Sequence, residues 1–68
     1  MPNFPKLKGR IVELYGTQEK FGEAIGVSLQ TVNAKLQGRS GFSQEDIYKW
    51  AIALKIDQQD IGIYFFVF

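Results

Sequence analysis

The chain has no cysteine and no histidine among its 68 residues. Disulfide staples and the usual zinc ligands are therefore excluded as sources of stability. Thiol and imidazole catalysis goes with them, and there is no glycine-rich phosphate loop. Proline is scarce: Pro2 and Pro5 lie together at the N-terminus and predict a loose segment over residues 1–5. Long apolar runs are missing too. The longest, Ile61 to Phe68, is far too short to cross a bilayer, and no signal-peptide pattern precedes it. No membrane partner, no metal and no cofactor are expected, and a cytoplasmic location follows as the default. Seven carboxylates are present, but Glu45 and Asp46 fall at a helix start, where the macrodipole accounts for acidic residues without chemistry. An enzyme is not expected.

Net charge is also small, at +1. Its distribution is uneven: residues 1–39 hold six Lys/Arg against three Asp/Glu (+3), and residues 40–68 hold two against four (−2). That permits a basic face toward phosphate and an acidic or apolar face away from it. The apolar fraction, 46%, is ordinary for a globular domain. A chain this short makes a single domain over residues 1–68 and buries only about 60% of its unfolded surface.

The patterning that is present is helical. Leu7, Ile11, Leu14 and Tyr15 recur at helical spacing over Lys6–Tyr15, with Lys8, Arg10 and Glu13 facing out. Gly16 ends that helix, and Thr17 caps a second over Gln18–Ile25, which presents Phe21 and Ile25 as an i,i+4 pair. Gly26 closes it, and Ser28 caps a third helix over Leu29–Gln37. Ser43 and Asp46 form a capping box for a fourth helix, whose buried stripe is Ile47, Trp50, Ala51 and Leu54. Asp57 is placed to cap a short fifth helix, or Ile63–Phe68 forms a strand. The expected fold class is all-α, a compact bundle of about five short helices with a helix-turn-helix and a possible short C-terminal strand.

The informative segment is Gln18–Gln37, two helices joined by Gly26-Val27-Ser28. A turn that short forces a steep crossing. The point of closest approach needs a small residue, which is Gly22; the turn needs a residue tolerant of positive φ, which is Gly26; and Val32 with Leu36 must point back at the first helix. With Val32 inward, steps of about 100° turn Gln30, Asn33, Ala34 and Gln37 outward, with Thr31 at one flank. Amides can bond adenine N6 and N7 in pairs, and methyl groups can pack on thymine. Lys35 and Arg39, at the helix end, suit phosphate, as does Gln18 beside the backbone N–H groups that Thr17 caps.

The segment TQEKFGEAIGVSLQTVNAKLQG, residues 17–38, resembles the helix-turn-helix of the lambda-repressor and Cro superfamily, in particular the short Cro-like regulators of Gram-positive temperate phages and prophages. The resemblance covers roughly residues 6–66. It implies that Gln18 contacts phosphate and that Ser28, Leu29, Gln30 and Asn33 face bases. It also implies a transcriptional regulator binding a double-stranded DNA operator. Gly22 stands where alanine is commoner, and Lys35 where many members place an apolar residue.

The tail, with Ile61, Ile63, Tyr64, Phe65, Phe66, Val67 and Phe68, is more apolar than a monomer of this size readily buries. It predicts a homodimer on a two-fold operator, with Tyr64, Phe66 and Phe68 as contacts. The rival expectation is an antirepressor or antitoxin that grips a partner, such as a phage repressor protein, through the same aromatic residues.

Overall fold

Three of the helices begin where a hydroxyl side chain replaces a backbone partner. Thr17 Oγ1 accepts the Lys20 N–H at 3.1 Å, Ser28 Oγ the Thr31 N–H at 3.2 Å and Ser43 Oγ the Asp46 N–H at 3.1 Å. Asp46 closes the box by accepting the Ser43 N–H at 3.0 Å. Each such cap stabilises its helix by about 1 kcal/mol. A computed structural model describes residues 4–66 of the chain. It has five helices: α1 Pro5–Tyr15, α2 Gln18–Ile25, α3 Leu29–Leu36, α4 Gln44–Ala53 and α5 Ile61–Phe65. A 3-10 turn, Gln58–Asp60, precedes α5, and no strand occurs among the described residues.

Helix ends use the left-handed region. Gly16 (φ 87°) and Gly26 (φ 78°) stop α1 and α2, as glycine does at least cost. The end of α4 is less ordinary, because Lys55 takes φ 55°. Its N–H bonds the Ile52 carbonyl at 3.3 Å and the Ile56 N–H bonds the Ala51 carbonyl at 2.9 Å, the two bonds of a Schellman closure. Arg10 holds this end from α1: Nε donates to the Leu54 carbonyl at 2.8 Å and Nη2 to the Lys55 carbonyl at 3.3 Å.

The core is aromatic at its centre. Leu7, Ile11, Phe21, Val32, Leu36, Trp50 and Leu54 are fully enclosed. Phe42 meets Phe4, Trp50 and Phe65 edge to face at centroid distances of 5.3, 4.9 and 5.2 Å, and Trp50 meets Phe21 at 4.8 Å. Such pairs add about 0.5–1.5 kcal/mol each beyond the area they bury. Tyr15 joins the chain through Phe21 and donates its hydroxyl to the Ala53 carbonyl at 2.8 Å. No described helix is long and apolar enough to cross a membrane.

Several expectations change. Phe4 and Pro5 are not loose: Pro5 opens α1, where its missing N–H costs nothing, and Phe4 is buried on Phe42. Arg10 is not a plain outward charge, since its guanidinium is bonded to the end of α4. Leu14 is exposed rather than core. The strand alternative fails for Ile63–Phe65, which are helical because burying Phe65 against Phe42 fixes that turn; Val67 and Phe68 lie outside the described residues. Asp57 precedes the 3-10 turn but its side chain makes no capping bond.

Candidate nucleic-acid interface

The crossing of α2 and α3 rests on one missing methyl group. A Cβ built on Gly22 would sit 2.7 Å from the Val27 carbonyl oxygen and 3.3 Å from Val32 Cγ2. The Val27 N–H in turn donates to the Gly22 carbonyl at 2.9 Å, so the turn is tied to the residue it crowds. Val32 and Leu36 are buried, and Ile25 and Val27 pack partly against the same core. The inward wedge at position 32 is therefore present, and it sets which residues α3 offers to solvent.

Those residues fall into two groups. Ser28, Leu29, Gln30, Thr31 and Gln37 are exposed, with Leu29 at 40%. Asn33 and Ala34 are half-buried, so they flank the ridge and do not crown it. Gln37 lies just past the helix as its C-cap, its N–H bonded to the Asn33 carbonyl at 2.9 Å. Among the described residues, no intramolecular bond holds the side-chain amides of Gln30, Asn33 or Gln37. The Thr31 hydroxyl is engaged with Ser28 Oγ at 3.0 Å, which leaves its methyl group as the free end.

Lys35 is held within the protein. Instead of standing free for phosphate, its ammonium donates to Asp46 Oδ2 at 2.9 Å and to the Gly41 carbonyl at 2.9 Å, and lies 5.5 Å from the Phe42 ring centre. The side chain keeps only 12% of its exposure. The Lys35 bond, with the Ser43 N–H, holds the Asp46 carboxyl down at about 2 from an ordinary 3.8. The pair joins the end of α3 to the start of α4 across the 37–43 loop. Leu36 takes the core position at this end of α3, and the neighbouring lysine closes its edge.

Electrostatically the α2–α3 unit is left neutral. Over residues 17–39, Lys20, Lys35 and Arg39 stand against Glu19 and Glu23. With Lys35 paired to Asp46, two cations remain against two carboxylates. Arg39 is exposed in the loop after α3, Thr17 is exposed, and Gln18 is half-buried at the first turn of α2.

The tail divides as well. Tyr64 packs partly on the core, whereas Ile63 and Phe66 are about half exposed; Phe68 lies outside the described residues. Ile63, which the sequence reading did not single out as a contact, thus joins Phe66 as exposed apolar surface. A second apolar pair also escaped that reading: Tyr48 and Ile52, each 70% exposed on the solvent side of α4. Its signal was the i,i+4 spacing opposite the Trp50–Ala51–Leu54 stripe.

A family model described as "Protein of unknown function (DUF739)" matches residues 2–67. Among solved structures, the chain is similar to the solution structure of the modulator of repression (MOR) of the temperate bacteriophage TP901-1 from Lactococcus lactis. The TM-score is 0.86 at 37% sequence identity, covering 96% of this chain and 88% of that one. No curated protein sequence matches the chain.

Proposed function

The chain belongs to the DUF739 family, and we propose that it regulates repression in a temperate-phage circuit, acting with a phage repressor protein and laying the α3 ridge against operator DNA. The likeness to a phage modulator of repression over nearly the whole chain supports the regulatory role. One observation carries the rest: the ridge exposes uncharged amides while the one cation of α3, near its C-terminal end, is bonded internally. Affinity for a duplex comes mainly from neutralised phosphates. A neutral α2–α3 unit discriminates between sequences better than it holds DNA, so a partner has to supply the grip. Ile63 and Phe66, exposed at the far end of the chain, are the surface such a partner would cover. The regulator works in the cytoplasm of the bacterial host.

Gel shifts with phage operator DNA, with and without the cognate repressor, test the proposal. The expected result is little binding alone at physiological salt and a ternary complex when both proteins are present. In that complex, Gln30→Ala or Asn33→Ala costs about 1–3 kcal/mol on operator DNA and little on random DNA. Tight binding alone, with half-sites about 34 Å apart and a steep salt slope, would mean a Cro-type homodimer and overturn the partner requirement.

A second reading, an antirepressor working by protein contact alone, is favoured by the same neutrality and by the exposed Ile63 and Phe66. It predicts that the repressor releases the operator when the chain is added, and that Phe66→Ser abolishes the effect while Gln30→Ala leaves it intact.

A further inference from the structure

We propose that the α3 ridge selects A·T base pairs through the major groove. The inference rests on the reading of α3 as the DNA-facing element and adds which base pair it prefers. Sequence in the major groove is read by matching donors and acceptors. Guanine O6 and N7 form a double acceptor best met by arginine or lysine, and cytosine N4 is a donor met by a carboxylate. Between Ser28 and Gln37 the sole ionised side chain is Lys35, and both its carboxylate and its carbonyl contacts face the protein. The ridge therefore has no free cation for guanine and no carboxylate for cytosine.

What it does present matches the other pair. The unengaged amides of Gln30, Asn33 and Gln37 each offer one donor group and one acceptor, the complement of adenine N7 and N6. Leu29 shows 40% of its surface, Thr31 has its hydroxyl occupied by Ser28, and Ala34 is half-buried at the flank. All three present carbon to a groove in which the thymine 5-methyl group is the apolar feature. Three amides and three methyl-bearing side chains on the ridge and its flanks fit an A·T reader. Arg39 lies beyond the helix end in the loop, outside this set.

The test uses the full chain and duplexes of about 20 base pairs, by fluorescence anisotropy at low salt, where weak binding is measurable. One duplex alternates A and T, a second alternates G and C, and two further A·T duplexes carry uracil for thymine or 7-deazaadenine for adenine. The expected result is about tenfold tighter binding to the A·T duplex. That preference is lost on the 7-deazaadenine duplex and reduced severalfold on the uracil one, and it is also lost in Gln30→Ala, whose exposed side chain has no packing role. Equal binding to A·T and G·C duplexes would overturn the inference while leaving a DNA-facing α3 in place. An A·T preference untouched by both base analogues would also overturn it, since groove shape alone would then be read. Failure to bind any duplex at low salt, with or without the cognate repressor, would sink the underlying DNA-facing reading itself.

Discussion

Adding one methyl group at Gly22 puts a number on how tightly α2 and α3 are crossed. In an open helix position, alanine for glycine gains about 0.5–1 kcal/mol by reducing the freedom of the unfolded chain. Gly9 is such a position, inside α1 with nothing within 4 Å of its built Cβ. At Gly22 the same methyl would lie 2.7 Å from a backbone oxygen, so the turn must retreat by roughly half an ångström or α2 must shift. The turn is pinned by the Val27 N–H to Gly22 carbonyl bond, and Val32 behind it is fully enclosed. Overpacking of this kind costs about 1–3 kcal/mol, which exceeds the helix gain. The net expectation is a loss of about 1–2 kcal/mol for Gly22→Ala and a gain of about 0.5–1 kcal/mol for Gly9→Ala. At about 4–8 °C per kcal/mol for a domain this size, the two melting temperatures separate by roughly 10 °C. Urea and thermal unfolding followed by the fluorescence of Trp50, the one tryptophan, reads both. If Gly22→Ala matches or exceeds the stability of Gly9→Ala, the close approach does not constrain the turn, and α3 is not held in a fixed orientation by it.

Four further outcomes follow from contacts elsewhere. Lys55→Gly relieves a left-handed lysine and should stabilise the protein by about 0.5–1 kcal/mol in urea titrations; a loss would mean the lysine side chain contributes there. Arg10→Ala removes a partly buried charge-assisted bond to the end of α4 and should cost about 1–2 kcal/mol, with Arg10→Lys recovering little because the forked geometry is gone. Asp46 has its folded-state pKa depressed to about 2 from 3.8, so its contribution is fully present above about pH 4 and fades as pH falls toward 2. Asp46→Asn should flatten stability over that window and cost about 1 kcal/mol at neutral pH, a figure kept small by the partial exposure of the pair. Lys35→Met should lower the unfolding midpoint yet leave the salt slope of any DNA binding unchanged; a slope lowered by about one would return Lys35 to the phosphate contacts.

What the sequence made legible was local. Thr17, Ser28 and the Ser43–Asp46 box are recognised by spacings of three residues, and each starts a helix where expected. Gly22, Gly26 and Val32 could be interpreted because a three-residue turn leaves the chain few alternatives. What local patterns did not show is which partners the bundle brings together. Arg10 meets carbonyls 44 and 45 residues away, and no periodicity announces them. Lys35 sits on α3 with the spacing of a phosphate ligand, but the 37–43 loop folds Asp46 back onto it. Phe4 lies between two prolines, a context that suggests disorder, yet Phe42 needs a ring on that side and Phe4 provides it. In the tail, composition showed an excess of apolar surface without showing which residues carry it: Phe65 is enclosed, Tyr64 is half-covered, and Ile63 and Phe66 remain outside.

Whether α3 touches DNA is tested most directly by an NMR titration of the side-chain amide signals of Gln30, Asn33 and Gln37. Operator duplex is added in the presence of the cognate phage repressor. These three NH2 pairs are predicted to shift on DNA addition, while Ile63 and Phe66 respond already to the repressor alone. Amide signals that stay in place as the ternary complex forms would contradict the DNA-facing role of α3.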